Sequence, residues 1–368
     1  MNKKTQDLLL VIFMAILLFV LSAFCLFKKE TAYSEDERRV LASRPELTAD
    51  SLLSGSFMTQ FEDYARDQFP FRDSFRSVKA FSALHLFHQK DNNGYYVKHG
   101  YASRLEYPVN TKMLDHAAER FQYLYNTYLE DKDVKLYFSI VPDKNCFLAG
   151  TNGYLSMDYS ALVSYMQEKT SYMEYVDLFP LLSLENYYRT DTHWRQETLI
   201  PTADRLAEAM GTTLSHDYET VTVEEPFYGV YCGQSALSLK PDTIQYLTSD
   251  LLENCIVTNW DSGLPKKTSM YNQEAVLGRD PYELFLSGSS ALMTIENPSG
   301  PAGRELIVFR DSFGSSLVPL LVSGYSKITL VDIRYIRSDL LDQFLSFDNQ
   351  DILFLYSTLL LNNSLALK

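Results

Sequence analysis

The sequence predicts an α/β protein with a mostly parallel sheet that is covered by helices on both faces. Strand-like apolar runs alternate with helical segments on both sides of residues 221–301, and such alternation is typical of parallel sheets. Residues 221–301 instead contain short polar segments rich in Gly, Pro, Asn and Asp, which predicts a β-rich insertion. An uncharged run near the N terminus adds a transmembrane helix to this α/β fold.

The apolar run extends from Leu8 to Phe27 without a charged residue, and lysines flank it on both sides. Its length matches the hydrocarbon thickness of a bilayer. The run is longer than a usual signal-peptide core and has no clear small-x-small cleavage site, so we expect an uncleaved signal anchor. Residues 1–7 are then a cytoplasmic tail, residues 8–27 cross the cell membrane once, and the body of the chain is extracytoplasmic.

Residues 28–90 form a predicted juxtamembrane helical segment. From Asp50 to His88 apolar side chains recur at helical spacing, and Pro70 interrupts the pattern. The turn signal Asn92-Asn93-Gly94 follows. We therefore expect the main α/β domain at residues 91–368.

Within this domain the pattern predicts alternating elements. Strands are expected at 95–97 and near 101, then at 134–141, 172–176, 305–309, 327–331 and 351–356. Helices are expected at 113–128, 160–170, 196–210, from 313 onward, and at 339–347.

Composition excludes several function classes. Hydrophobic residues make up 46% of the chain, which predicts a folded core, and the net charge of −14 argues against an extended contact with nucleic acid. The six histidines are scattered and the cysteines match no zinc pattern, so we expect neither a metal nor a cofactor. Cys232 and Cys255 are the more plausible disulfide pair in an oxidising compartment; two separate buried thiols are the alternative.

One acid, one histidine and one serine stand out. Asp191 and His193 lie two residues apart, which lets them point the same way from an extended segment. Ser312 follows a predicted buried strand and precedes a predicted helix, where unpaired backbone N–H groups can expose a nucleophile and hold an oxyanion. The three side chains have the chemistry of a Ser-His-Asp triad. The alternatives are that Ser312 or Asp311 only caps the helix and that His193 is structural.

A second group of polar residues follows the strand at 134–141. Asp143, Lys144 and Asn145 come directly after it, and ligands in open α/β sheets bind at the carboxyl ends of strands. They are candidate site residues, with a plain surface loop as the alternative.

These motifs resemble the DHHW proteins and the related SGNH-hydrolase-like domain of bacterial alginate O-acetyltransferases. The most specific part is Asp191-Thr192-His193-Trp194 together with Arg310-Asp311-Ser312-Phe313. Further DHHW-type segments are 33–48, 67–73, 141–144 and 331–335, so the resemblance touches most of the exported chain.

The resemblance implies an SGNH-like three-layer α/β/α fold in which the acid and the histidine precede the serine. Carried over by motif, Ser312 is the nucleophile, His193 the general base and Asp191 its orienting acid. Thr192 replaces the second residue of the DHHW pattern, and Arg310 replaces the glycine that precedes Asp-Ser in alginate-type relatives. The oxyanion donors stay open, and the substrate or oxyanion candidates are Asn145, Lys144, Arg334, Tyr335, Trp194 and Arg310.

The resemblance further implies a serine-dependent O-acyltransferase, with acetyl the expected acyl group, or an esterase, acting on cell-surface polysaccharide. It implies a membrane-bound O-acyltransferase as the partner that supplies acyl groups. The alternative is a non-catalytic glycan-binding or envelope polysaccharide assembly protein on the same fold, which needs a tyrosine-rich groove but no triad. The 26 tyrosines in the chain allow such a groove.

Overall fold

A computed structural model describes residues 2–368 and divides the chain into two compact units. One unit comprises the residues up to Asn93 together with Cys232–Ser238, and the other comprises Gly94–Tyr231 and Leu239–Lys368. No disulfide joins Cys232 to Cys255 within the described residues.

The first unit is mainly helical. Its elements are α1 (Lys3–Phe27), β1 (Tyr33–Ser34), β2 (Arg39–Val40), α2 (Ala49–Leu53), α3 (Ser56–Asp67) and α4 (Arg72–Phe81), followed by a π-helical turn at Ser82–Leu86. Helices lie on both sides of Pro70, as the sequence pattern predicts. Among the described residues one helical stretch, Lys3–Cys25, is apolar and long enough to cross a membrane, with a mean hydropathy of 3.1. An anchor and a signal sequence share these properties.

A short extended segment is fastened to the end of α3. The Arg39 guanidinium donates to both Asp67 oxygens at 2.8 and 2.6 Å, and the Ala42 N–H group donates to Asp67 at 2.9 Å. These hydrogen bonds from Arg39 and Ala42 stabilise the charged carboxylate and lower the pKa of Asp67 to about 2. Asp67 therefore joins the antiparallel β1–β2 pair to α3.

From Gly94 onward the chain alternates strands and helices. In chain order these are β3 (Tyr95–Lys98), β4 (Tyr101–Arg104), α5 (Thr111–Leu124), β5 (Lys135–Val141), α6 (Lys144–Leu148), α7 (Tyr159–Lys169), β6 (Glu174–Tyr175), α8 (Ile200–Ala209), β7 (Glu219–Phe227), α9 (Val230–Ser235), β8 (Asp242–Thr248), α10 (Asp250–Glu253), β9 (Ile256–Asn259), β10 (Lys266–Thr268), β11 (Leu292–Glu296), β12 (Glu305–Arg310), α11 (Gly314–Leu321), β13 (Lys327–Val331), β14 (Asp351–Ser357) and α12 (Thr358–Leu361). The helix expected at 339–347 is a 3-10 segment at Ser338–Gln343.

Within residues 2–368 the main sheet has eight strands in the order β10-β9-β11-β13-β12-β14-β5-β6. The five strands β13, β12, β14, β5 and β6 pair parallel with one another in this order, whereas β13 pairs antiparallel with β11 on its other side. β10, β9 and β11 pair antiparallel at the other edge. The sheet is therefore mixed, with a parallel half that carries the predicted strand–helix alternation.

The strands of the region predicted as a β-rich insertion belong to two different sheets. β7 and β8 form a separate antiparallel pair, whereas β9, β10 and β11 extend the main sheet. Lys266 and Lys267 of the edge strand β10 are exposed. Because an edge strand needs no continuous buried face, β10 lacks the apolar run from which a strand is predicted.

Helices cover both faces of the main sheet. Leu306 and Val308 of β12 pack in the hydrophobic cluster that contains α8 and α11. Ile307 and Phe309 point to the opposite face and pack with α5 and α7. Burial of each such side chain stabilises the fold by about 1.5–3 kcal/mol. This two-sided packing fixes β12, and with it the turn that carries Ser312.

Candidate active site

Asp191, His193 and Ser312 lie in one hydrogen-bonded chain. His193 Nδ1 is 2.6 Å from Asp191 Oδ1, and His193 Nε2 is 2.8 Å from Ser312 Oγ. The serine and the histidine are 119 positions apart in sequence. In this arrangement Nε2 can take the serine proton while the carboxylate holds the other ring nitrogen.

The Asp191 carboxylate is held by backbone donors. Oδ1 accepts from the His193 N–H group at 3.0 Å and Oδ2 accepts from the Val230 N–H group at 2.9 Å. A Cβ atom on Gly229 would lie 2.4 Å from Asp191 backbone atoms, so a larger residue at 229 would force the acid to move. Gly229 and Val230 belong to the stretch that the sequence showed only as turn-rich.

The imidazole of His193 is fixed by aromatic rings. Tyr282 stacks on it with ring centres 3.8 Å apart and an interplanar angle of 5°, and Phe313 lies at 5.0 Å. The Tyr282 hydroxyl is 2.7 Å from Ser316 Oγ. No local sequence pattern connects residue 282 with residue 193, because only the folded chain brings them together.

Ser312 lies in the turn between β12 and α11. The side chain of the preceding Asp311 accepts from the Phe313 N–H group at 3.0 Å and from the Ser357 N–H group at 2.8 Å. Asp311 therefore ties the turn to the carboxyl end of β14. The N–H groups of Gly314 and Ser315 bond back to the carbonyl oxygens of Asp311 and Ser312.

Arg310 lies in the interior behind this turn. Its guanidinium, which is fully buried, donates to Ser315 Oγ at 3.1 Å and to the Gly288 carbonyl at 3.3 Å. Burial lowers the pKa of Arg310. A Cβ atom at Gly314 would lie 2.9 Å from Arg310 Cβ, so Gly314 makes room for the arginine at the start of α11.

Lys144 supports the backbone of the loop that carries Asp191. Its ammonium group donates to the carbonyl oxygens of Asp191 at 2.7 Å and of Tyr188 at 2.8 Å. Asn145 is also buried, accepts from the Tyr96 hydroxyl at 2.8 Å and donates to the Leu155 carbonyl at 3.3 Å. The segment after β5 is thus an internal support rather than a surface loop.

Trp194 joins the histidine loop to the serine helix. Its indole N–H group donates to the Phe313 carbonyl at 3.1 Å and to Ser316 Oγ at 2.9 Å, and the side chain is fully buried. Trp194 therefore holds the segment that carries His193 against the segment that carries Ser312.

Arg334 and Tyr335 follow β13. Arg334 Nε donates to Asp332 Oδ1 at 2.9 Å, and its guanidinium lies 5.2 Å from the Tyr335 ring centre. Tyr335 is exposed. Of the six predicted substrate or oxyanion candidates, Arg334 and Tyr335 are the two that are not buried.

A cleft with a volume of about 380 Å³ lies beside the acid–histidine loop. It is lined by Tyr101, Tyr187, Arg189, Arg195, Pro241, Asp242, Thr243 and Gln245. The Arg189 guanidinium lies 5.8 Å from the Tyr101 ring centre. Asp242 fixes the loop, because it accepts from the N–H groups of Arg189 at 2.9 Å and Thr190 at 2.7 Å. Aromatic and cationic groups at one cleft are suited to a sugar or an anionic group.

Across residues 2–368 there is no group of three or more His, Cys, Asp or Glu side chains that could hold a metal ion.

Comparison with solved structures identifies proteins of similar fold. A DHHW family protein from Eubacterium siraeum matches with a TM-score of 0.59 and 20% identity, over 74% of this chain and 93% of that one. Bacillus cereus PatB1 matches with a TM-score of 0.58 and 14% identity, over 73% and 97% of the two chains. The O-acetyltransferase domain of Pseudomonas putida AlgJ is more distant, with a TM-score of 0.44 and 12% identity over 73% and 92%.

No family model matches the sequence, and no curated protein matches it either. The structural matches extend over about three quarters of the chain and nearly all of the DHHW family protein and PatB1. The chain therefore has the α/β fold of the DHHW family protein and PatB1, and the resemblance predicted from its DHHW-type segments is confirmed by the structural match to the DHHW family protein.

Proposed function

We propose that this protein is a membrane-anchored, extracytoplasmic serine O-acyltransferase or esterase that acts on cell-surface polysaccharide. The observation that carries the proposal is the hydrogen-bonded chain from Asp191 through His193 to Ser312, with distances of 2.6 and 2.8 Å. Acetyl is the proposed acyl group.

The reaction has two halves. Ser312 Oγ attacks the acyl carbon of a donor ester while His193 Nε2 takes the serine proton, and the oxygen–carbon bond to the leaving group then breaks as the imidazolium returns that proton to it. A glycan hydroxyl or a water molecule, deprotonated by His193, next attacks the acyl-serine and releases Ser312. The first acceptor gives transfer and the second gives hydrolysis.

The negative charge on the tetrahedral oxygen needs hydrogen-bond donors. The N–H groups of Gly314 and Ser315 already bond within the turn. We therefore assign the Ser312 N–H group as one donor. The buried side chains of Arg310, Lys144 and Trp194 hold the turn and the loop in place, which makes them positioning residues in this proposal. Asn145 supports the segment after β5 through Tyr96 and Leu155.

The acceptor glycan is proposed to bind near the cleft beside the loop. Tyr101 offers a ring for stacking on a sugar, and Arg189 offers hydrogen-bond donors. Arg334 and Tyr335 remain candidates for contacts with substrate. The same cleft favours the second candidate function, a glycan-binding or polysaccharide assembly protein that does not use the triad.

The membrane arrangement is also part of the proposal. With α1 as an anchor and residues 1–7 in the cytoplasm, the triad faces the cell envelope, where a membrane-bound O-acyltransferase would supply acyl groups. A topology reporter fused to the C terminus should show that this end of the chain lies outside the cytoplasm. Cytoplasmic activity of the reporter would refute this arrangement.

Labelling by a sulfonyl fluoride tests the catalytic proposal directly. PatB1, which shares the fold, has a structure with a sulfonyl adduct, and such reagents modify activated hydroxyls. The wild-type chain should gain one sulfonyl group, Ser312→Ala should gain none, and the control Ser262→Ala, at an exposed position, should label like the wild type. Absence of labelling together with retained glycan binding would favour the second candidate function.

Acetyl release from p-nitrophenyl acetate, with and without oligosaccharide acceptors, separates the two reactions. Acetylated oligosaccharide identified by mass indicates transfer, whereas free acetate alone indicates hydrolysis. Activity that survives in both Ser312→Ala and His193→Ala would show that the triad is not the catalytic centre.

A further inference from the structure

The helix α4 in the first unit presents its apolar side to solvent. Phe75, Val78 and Phe81 are 52%, 62% and 62% exposed, and Phe71, immediately before the helix, is 68% exposed. Their spacing places them on one side of the helix. Ala80, on the opposite side, is fully buried. We call Phe71, Phe75, Val78 and Phe81 the α4 stripe.

The two arginines of α4 point inward instead. The side chains of Arg72 and Arg76 are only 13% and 19% exposed, and both guanidinium groups pair with Glu37. Arg76 also donates to the Gly233 carbonyl at 2.8 Å. A surface helix normally buries its apolar side and exposes its charges. Here ion pairs within the unit hold the helix in the opposite orientation. The exposure of the apolar stripe is therefore stabilised by specific contacts of the buried arginines.

The stripe begins next to the end of the apolar helix α1. The rings of Phe24 and Phe71 stack with centres 6.2 Å apart. The backbone of Thr31 exchanges two hydrogen bonds of 2.9 Å with the Gln68 side chain. Phe24 precedes Lys28 by four residues, which corresponds to about 6 Å along a helix. Phe71 therefore lies at the level of the last turn of α1, just inside the lysines that mark its end.

We propose that the α4 stripe lies in the lipid surface from which α1 emerges, with its side chains among the upper acyl chains. This inference rests on the proposed role of α1 as a membrane anchor. If α1 crosses the bilayer, its contact with Phe71 brings the stripe to the apolar boundary of the same leaflet. A helix that lies in the plane of the interface with its apolar side down is a recognised mode of membrane association.

The occupant is lipid rather than a partner protein because the depth of the stripe is set by α1 itself. The Phe24–Phe71 contact is made within one chain and needs no other protein to bring the stripe to the bilayer. Lys28 and Lys29 at the end of α1 favour anionic headgroups at the same level.

Tryptophan quenching by brominated lipids tests the inference. The full chain is reconstituted into vesicles of phosphatidylcholine and phosphatidylglycerol whose acyl chains carry bromine near the headgroup, and the emission of wild type, from Trp194 and Trp260, is subtracted. Phe75→Trp and Val78→Trp should each lose at least half of the added emission. The control Asp73→Trp, whose site is exposed away from the stripe on the same helix, should keep it.

A third probe separates this inference from the anchor on which it rests. Phe19→Trp, in α1, should be quenched by bromine placed deeper in the acyl chains. Quenching of Phe19→Trp without quenching of either stripe probe would overturn the inference and leave the anchor standing. Absence of quenching at all three positions would overturn both. Stripe probes that are quenched by aqueous acrylamide instead would also overturn it, because the stripe would then face water rather than lipid.

Discussion

The indole of Trp194 and the carbonyl oxygen of Phe313 are joined by a hydrogen bond of 3.1 Å across 119 positions of sequence. Trp194 follows His193 and Phe313 follows Ser312, so this bond links the immediate neighbours of the proposed base and the proposed nucleophile. The distance between His193 Nε2 and Ser312 Oγ thus depends on a contact that neither residue makes itself.

Replacement of this indole should therefore lower both the stability of the fold and the reactivity of Ser312. Trp194→Phe removes the donor and leaves the Phe313 carbonyl and Ser316 Oγ without it, which should lower the free energy of unfolding by about 1–3 kcal/mol. Loosening of the His193–Ser312 geometry should also slow sulfonyl fluoride labelling of the folded protein by about 10- to 100-fold.

Trp260→Phe is the matched control. Trp260 donates a 3.2 Å hydrogen bond to Thr294 Oγ1 on another part of the sheet, so its loss should affect stability and leave the labelling rate unchanged. An unchanged labelling rate in Trp194→Phe would show that the bond is structural alone.

The stack of Tyr282 on His193 gives a second prediction. Tyr282→Phe keeps the ring and loses only the hydroxyl contact with Ser316, so the labelling rate should stay near that of the wild type. Tyr282→Leu removes the parallel ring that fixes the imidazole plane and should slow labelling by about tenfold. Equal rates in the two variants would mean that the stacked ring does not orient the imidazole of His193.

The close approach of Gly229 to Asp191 gives a third prediction. Because a Cβ atom would lie 2.4 Å from the acid's backbone, Gly229→Ala should displace Asp191 from His193 and reduce labelling by about 100-fold or more. Circular dichroism should show a folded protein. Gly150→Ala, where a Cβ atom meets nothing within 4 Å, should behave as the wild type, and a fully active Gly229→Ala would contradict the prediction.

The buried centre of the fold was predictable from sequence because its strands carry continuous apolar runs. The strand predicted at 327–331 coincides with β13, and the strands at 134–141 and 351–356 match β5 and β14 to within one residue. The edge strand β10 was missed because its exposed lysines leave no such run. For such strands, pairing depends on the neighbouring chain rather than on local sequence.

The site was predictable only in part for a similar reason. The spacing of Asp191 and His193 and the strand-to-helix setting of Ser312 are local features. Tyr282 and Gly229 act through contacts between distant segments. The unusual Arg310 was visible in the motif, but its burial against the Gly288 carbonyl depends on a loop that no local pattern connects with residue 310.

Glu106 provides a prediction about pH. Burial, with a further contribution from the charge of Asp143, raises the pKa of Glu106 to about 7. Its nearest cation is Arg104, whose Nε atom is 3.5 Å from Oε1. The unfolded chain releases this proton near pH 4.3, about the usual value for glutamate. Between these two values the native protein binds more protons, so its stability falls as the pH rises through this window.

Glu106→Gln removes this titration. Relative to wild type, the variant should gain about 1–3 kcal/mol in free energy of unfolding between pH 5 and pH 8, measured by urea unfolding of the detergent-solubilised chain. Glu185→Gln, at an exposed position, should show no such gain. Parallel pH profiles for Glu106→Gln and wild type would mean that the carboxylate is already ionised at pH 5 in the native state, because only a proton retained there can make stability depend on pH in this way.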